Sequence, residues 1–241
     1  MATLLLRLAA PLQSWGADSK FETRKTNREP TKSGVIGLLA AALGLRRDEP
    51  EALQRLNRLR FAVRVDQEGV LLVDFHTAGN PTPAEVRRAR EKGKAPGAPY
   101  VTKRHYLADA IFLAGLESDD EALLKQLQAA LCRPAFPLFL GRRSCPPTLP
   151  LCLGIRPAAL LDALKAEPPL RMDVQREGTQ GMRIVADADP GQPGAVPRRD
   201  LPISYNPVHR QYGYRAVQAL NLAKTADASG ETTHDPFVEL R

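Results

Sequence analysis

Residues 77–103 carry Pro81, Pro83, Pro96, Pro99, Gly79, Gly93 and Gly97 and almost no large apolar side chain. A stretch of this length and composition adds nothing to a hydrophobic core, and inside a compact domain it is either functional or disordered. It splits the sequence into two apolar regions that must pack together across it. Its charge is one-sided: between His76 and Tyr106 stand seven Lys or Arg (positions 87, 88, 90, 92, 94, 103 and 104) against two Glu (85 and 91). Residues 77–105 read as a protruding basic arm that orders on contact with a polyanion, or alternatively as a solvated loop.

On the N-terminal side, residues 3–9 form a short apolar run ended by Pro11, which predicts a strand. Residues 35–45 are apolar almost throughout and predict a buried helix, entered through Pro30, Thr31 and Ser33 and left at Gly44. A second short helix follows over 50–58. Residues 60–66 alternate, with Phe61, Val63 and Val65 on one face and Arg60, Arg64 and Asp66 on the other, as in a half-buried strand. Glu68-Gly69 reads as a turn and 70–75 as a returning strand, so the pair predicts a hairpin. Beyond the arm come a strand (110–116), an amphipathic helix (119–131) with Leu123, Leu124, Leu127 and Leu131 on one side, a strand (151–155) and a helix (158–165).

The expected fold class is therefore α+β: a ferredoxin-like βαββαβ palm over 1–76 and 106–165, with the basic arm inserted as a thumb. A small, mostly β C-terminal part is expected over 166–226, with strand candidates at 171–176, 183–186 and 212–217. Residues 227–241 read as a flexible tail.

Composition narrows the chemistry. The formal charge of the 241 residues is +7, which favours a polyanionic partner because each phosphate neutralised releases a counterion. Aromatics make up only 5%, so such a surface leans on charge more than on stacking. Cys132, Cys145 and Cys152 form no C-x-x-C pair and the four histidines are scattered, so neither a metal site nor a cofactor is expected. No apolar run is long enough to span a membrane, and the start is too short for a signal peptide, which points to the cytoplasm.

Five groups of residues are candidates for function. Pro30-Thr31-Lys32-Ser33-Gly34 leads into a helix whose N-terminus could hold a phosphate with help from Lys32 and Ser33; an ordinary helix cap is the alternative. No glycine-rich loop precedes it, which argues against nucleotide hydrolysis. Gly141-Arg142-Arg143-Ser144 could bring backbone and two guanidinium forks to a polyanion, or form a surface turn. The arm offers Arg87, Arg88 and Arg90. Lys103-Arg104-His105-Tyr106 holds residue types suited to metal-independent RNA cleavage, but a strand would put Lys103 and His105 on one face and Arg104 and Tyr106 on the other. Trp15 could stack on a base or anchor its loop on the core.

In their joint order, several of these segments resemble the CasD family of type I-E CRISPR systems. They are residues 5–16 (LLRLAAPLQSWG), Arg24 and Thr26, 30–39 (PTKSGVIGLL), Leu43-Gly44, 74–77 (DFHT), 106–110 (YLADA) and 139–146 (FLGRRSCP). The match runs over about the first 155 residues. The resemblance implies a subunit at the foot of the Cascade assembly that grips the 5′ handle of the CRISPR RNA. It implies contacts with the large subunit and the first backbone subunit, and with target DNA through the complex. Such a subunit holds RNA by backbone and shape while guide–target pairing reads sequence. On this reading Arg24, Arg28, Lys32, Ser33, Arg142, Arg143 and Ser144 serve the handle, and Arg87, Arg88, Arg90, Lys103 and Arg104 the thumb. The related type I-C proteins cut precursor RNA with a Lys-His pair at the end of the thumb. This keeps open a second reading, an endoribonuclease using Lys103, His105 and Tyr106, although Arg104 separates the pair.

Overall fold

The computed structural model describes residues 1–16, 22–47, 49–79, 81–93, 97, 100–171, 182–206 and 208–221. Among the described residues, two sheets and five helices make up an α+β fold. The larger sheet begins with β1 (Ala2–Ala9), which lies between β7 (Ile111–Ser118) and β8 (Cys152–Arg156). β7 pairs on its other edge with β4 (Arg60–Gln67). β9 (Arg183–Asp187), β11 (Gln211–Asn221) and β10 (Val196–Ser204) then extend the sheet to seven antiparallel strands. With α1 (Lys32–Leu43) after β1 and α4 (Glu121–Cys132) after β7, the order β4-β7-β1-β8 is consistent with a ferredoxin-like topology.

β1 is an apolar run rather than an alternating strand because helices cover both faces of the sheet. Leu4, Leu6 and Leu8 join α1 and α4 in the main core. Leu5 points the other way, into a second cluster with Ala62, Leu113 and α5 (Leu160–Ala166). The same cover corrects the half-buried reading of β4. Arg64 is 1% exposed, and its guanidinium meets Asp66 at 2.6 and 2.8 Å. It also donates to the carbonyls of Leu164, Glu167 and Pro168 just where α5 ends. A buried arginine is tolerable when its donors are matched in this way, and here it satisfies the open carbonyls of a helix terminus.

The expected hairpin over 60–75 does not form. β4 and β5 (Val70–Ala78) are joined at Gly69, but β5 leaves for the smaller sheet, where it pairs over nine residues with β6 (Tyr100–Ala108). The third strand of the palm is β7 instead. Residues 77–105, expected as the arm, thus continue from a β5–β6 ribbon that begins at Val70. β2 (Leu12–Gln13) and β3 (Thr23–Arg24) cover part of β6's other edge. The arm also contains a helix, α3 (Pro83–Glu91), where the sequence suggested none. Its start bears a capping box, with Thr82 and Glu85 satisfying each other's backbone, and proline at the first helical position. The remaining helix, α2 (Pro50–Asn57), was anticipated.

The C-terminal strands are not a separate part. A buried ion network ties them to the palm: Arg215 on β11 meets Asp200 on β10 at 2.6 and 2.8 Å and Asp187 on β9 at 2.6 Å. Lys32 Nζ reaches Asp187 at 2.9 Å, and the Lys32 amide donates to Asp200 at 3.0 Å. Strand candidates 183–186 and 212–217 match β9 and β11; most of 171–176 and all of the tail at 227–241 lie outside the described residues. Breaking a buried pair leaves uncompensated charge. Arg215→Met should therefore lower unfolding free energy by about 3–5 kcal/mol, read as a shift in denaturant midpoint.

Candidate nucleic-acid interface

The site is assembled from three segments that are far apart in sequence. Trp15, 1% exposed, is the first anchor. Its indole lies on Gly34 of α1, where a Cβ would come within 2.8 Å of ring atom Cε3, so only glycine lets the helix approach. The indole N–H donates to Gln13 Oε1 at 3.1 Å. The Trp15 amide donates to Thr26 Oγ1 at 2.8 Å and its carbonyl accepts from Asn27 at 2.7 Å, which holds the basic 22–28 segment in place.

The second anchor is Gly141. It has φ of 88°, and a Cβ there would fall on the Ser14 carbonyl. The Ser14 amide donates to the Leu140 carbonyl at 3.1 Å. The loop after α4 is thereby pressed against the segment carrying Trp15, with Cys145 buried beneath it. Substitution at 141 would lift the loop away.

The third segment is β6, whose alternation sorts its side chains. Thr102, Arg104 and Tyr106 share one face; Lys103 and His105 take the other. β3 runs parallel beside it, with Arg24 opposite Arg104. Arg142 closes the group, its guanidinium carbon 4.6 Å from the centre of the Tyr106 ring and its Nη2 donating to the Arg24 carbonyl at 2.8 Å. Ser144 Oγ lies 3.4 Å from the Tyr106 hydroxyl. Arg142 Nη1 is buried without a hydrogen-bond partner. Arg24, Arg28 and Arg143 are exposed, and Arg104 and Arg142 half-exposed. The result is a cationic surface to which Arg24, Arg28 and Arg143 contribute exposed guanidinium groups.

The structure therefore brings Arg24, Arg104, Arg142 and Ser144 together, with Arg143 next in sequence. It leaves Lys32 and Ser33 out. Lys32 is 5% exposed and its ammonium is bound to Asp187. The helix entrance meant for a phosphate is occupied by the Asp200 carboxylate and capped by Thr31, which accepts from the Gly34 amide at 3.2 Å. The Ser33 carbonyl receives the Tyr205 hydroxyl. Trp15 is likewise closed to a base. Arg87, Arg88 and Arg90 are exposed on α3, at the far end of the ribbon. Of the nuclease set, Lys103 and His105 share a face, while Tyr106 points to the opposite one, 5% exposed under Arg142. The Tyr106–Arg142 stack was not anticipated, because nothing in the spacing of 106 and 142 reports it.

A family model described as CRISPR-associated protein, Cas5, matches residues 3–218. The chain belongs to the Cas5 family. The match extends well past residue 155, where the sequence likeness had thinned, and so takes in the C-terminal strands of this Cas5 fold. The Cascade subunit CasD of Escherichia coli (strain K12) is 41% identical over 165 residues, covering 63% of this chain and 70% of that protein. A chain of a solved CRISPR RNA-guided surveillance complex superposes with a TM-score of 0.75 at 34% identity, over 91% of this chain and 90% of that one. A crystal structure described as a Cas protein superposes with a TM-score of 0.70 at 37% identity, over 92% and 95%.

Electrostatics at the loop follow from its packing. Burial works to raise the Tyr106 phenol, but the Ser144 hydrogen bond and the Arg142 guanidinium outweigh it, so the phenol ionises more readily than an ordinary tyrosine. Removing the cation that favours the phenolate reverses this. Arg142→Met should raise the Tyr106 pKa, an upward shift readable by NMR titration of ring-labelled tyrosine, with Tyr106→Phe assigning the signal.

Proposed function

We propose that this chain is the subunit of a type I-E CRISPR surveillance complex that holds the repeat-derived 5′ handle of the guide RNA without cutting it. In this reading β1, α1, β4, β7, α4 and β8 are a ferredoxin-like palm, and β5, α3 and β6 are the thumb. The thumb lies over the guide beside the large subunit and the first backbone subunit. Target DNA reaches the chain only through the assembled complex, in the cytoplasm.

The observation that carries it is the pairing of Arg24 opposite Arg104 along the β3–β6 edge, with Arg142 held against the Arg24 backbone and the Tyr106 ring. Planar guanidinium forks suit phosphate oxygens better than ammonium groups do. Arg28 and Arg143 flank the face, and Arg87, Arg88 and Arg90 extend the positive surface along the thumb. The endoribonuclease reading is weaker on geometry, because a base, an acid and a cation must converge on one phosphate, and Tyr106 faces away from Lys103 and His105.

Binding to labelled handle RNA, measured across a salt series, tests the reading. Affinity should fall steeply with salt. Arg143→Ala should weaken binding by about 1 kcal/mol and flatten the salt slope by about one. Lys32→Ala should lower the melting temperature and leave the slope alone. RNA incubated with the chain in EDTA should stay intact. Binding that ignores salt would end the proposal, and a 2′,3′-cyclic phosphate product lost in His105→Ala would replace it with the nuclease.

A further inference from the structure

Trp15 is buried, so a stacking residue has to come from elsewhere. Among the described residues the exposed large aromatics are Phe75 and Tyr214, each 66% accessible, and Phe136 at 50%. Phe136 belongs to the loop after α4 and Tyr214 to β11, whereas Phe75 lies on the ribbon that roots the arm. Phe75 sits directly opposite Lys103 in the β5–β6 register, and the Lys103 ammonium lies 5.5 Å from its ring centre. One step along, Val73 faces His105, whose Nδ1 is buried without a hydrogen-bond partner. Val73 is 42% and Val101 49% exposed. The face thus has an apolar floor with a flat ring standing on it, and two nitrogen-bearing side chains at its margin.

Apolar side chains left open on a strand are costly and invite association. One outer strand of the larger sheet, β10, is guarded differently, with Pro197 and Pro202 and a register broken twice by bulges. β5 pairs without a break over all nine residues, and among the described residues no strand covers its outer edge. An occupant that is flat and apolar above and anionic at its rim matches a floor of this kind with the Lys103 cation beside it. A nucleotide has that form: its base stacks on an aromatic ring and its phosphate meets the cation beside it.

We propose that Phe75 is the platform on which one base of the bound RNA stacks, with Lys103 and His105 holding the sugar-phosphate next to it. The Lys103 side chain is exposed and flexible, so its ammonium can leave the ring for the phosphate when the base arrives. β6 links this contact to the arginine face, because consecutive residues alternate: Lys103 and His105 serve the base-stacking side, Arg104 and Tyr106 the phosphate side. A strand crossing the open edge of β5 touches both. The inference deepens the guide-RNA reading and rests on it.

The test is fluorescence anisotropy with labelled handle RNA and with the same RNA made abasic at one position at a time, using the full chain. Phe75→Ala should weaken binding about tenfold, in line with the loss of one stacked base. Phe75→Trp should bind at least as well as the native chain. The salt slope should be unchanged in both, unlike in Arg143→Ala. One abasic position should cost the native chain as much as Phe75→Ala does and cost the variant nothing more. The exposed position makes a folding defect small, and an unchanged melting curve checks this. Native-like RNA binding by Phe75→Ala, or a loss that is the same with every abasic RNA, would overturn the stacking while leaving the guide-RNA reading in place. Native-like RNA binding together with loss of Phe75→Ala from the assembled complex would give this face to a protein partner instead. Salt-independent binding by the native chain would overturn both.

Discussion

Two carboxylates bridged by Arg215, those of Asp187 on β9 and Asp200 on β10, organise the molecule. Each is shared. Asp187 takes Arg215, the Lys32 ammonium and the Phe61 amide, and Asp200 takes Arg215 and the Lys32 amide. Five elements, α1, β4, β9, β10 and β11, are thereby bound to one buried cluster. The desolvation cost of such charges is offset only when the remaining donors and acceptors are matched, and here they are. Glu29, also buried, repeats the device just before α1 by pairing with Arg183 and Arg198. The helix entrance is consequently neutralised from within. Its cation is spent on structure, and the positive surface has to be built elsewhere.

It is built around β6. A strand displays successive side chains on opposite faces, so a run of four polar residues, Lys103-Arg104-His105-Tyr106, divides into two chemistries rather than forming one centre. Arg104 shares the face of Tyr106 and pairs with Arg24 across the β3–β6 edge, while Lys103 and His105 stand on the face of Phe75. The division holds only because β6 is fastened on both edges, to β5 along its length and to β2 and β3 opposite. The Gly141 loop then seals Tyr106 under Arg142. Close approach of backbone to backbone at Ser14 and Gly141 is what places that arginine over the ring.

Much of the fold was legible residue by residue. The apolar run 35–45, the leucine stripe at 123, 124, 127 and 131, and the alternation at 60–66 each report an element through its period. The basic insertion was legible because prolines, glycines and arginines cannot build a core. Pairing was less so. Residues 60–66 and 70–75 look like a hairpin, yet they belong to different sheets, because pairing partners are chosen by long-range packing that a local pattern does not encode. Arg64 looked like a solvent-facing residue until α5 was seen to cover the second face of the sheet. The helix over 83–91 was marked by Thr82, Pro83 and Glu85, but the surrounding prolines and glycines obscured it.

By itself, the sequence determined the element types, the basic character of the arm, the family likeness and the residue types from which an RNA-holding surface could be made. Only the tertiary structure decided which cations are available: Lys32 and Arg215 are consumed by buried carboxylates, and Arg24, Arg104 and Arg142 are left to meet. The reason is that a charge becomes usable or not through burial and through its partners. Both depend on residues brought together by the fold, as Lys32 and Asp187 are across 155 positions and Arg24 and Arg142 across 118, and no local pattern records that proximity.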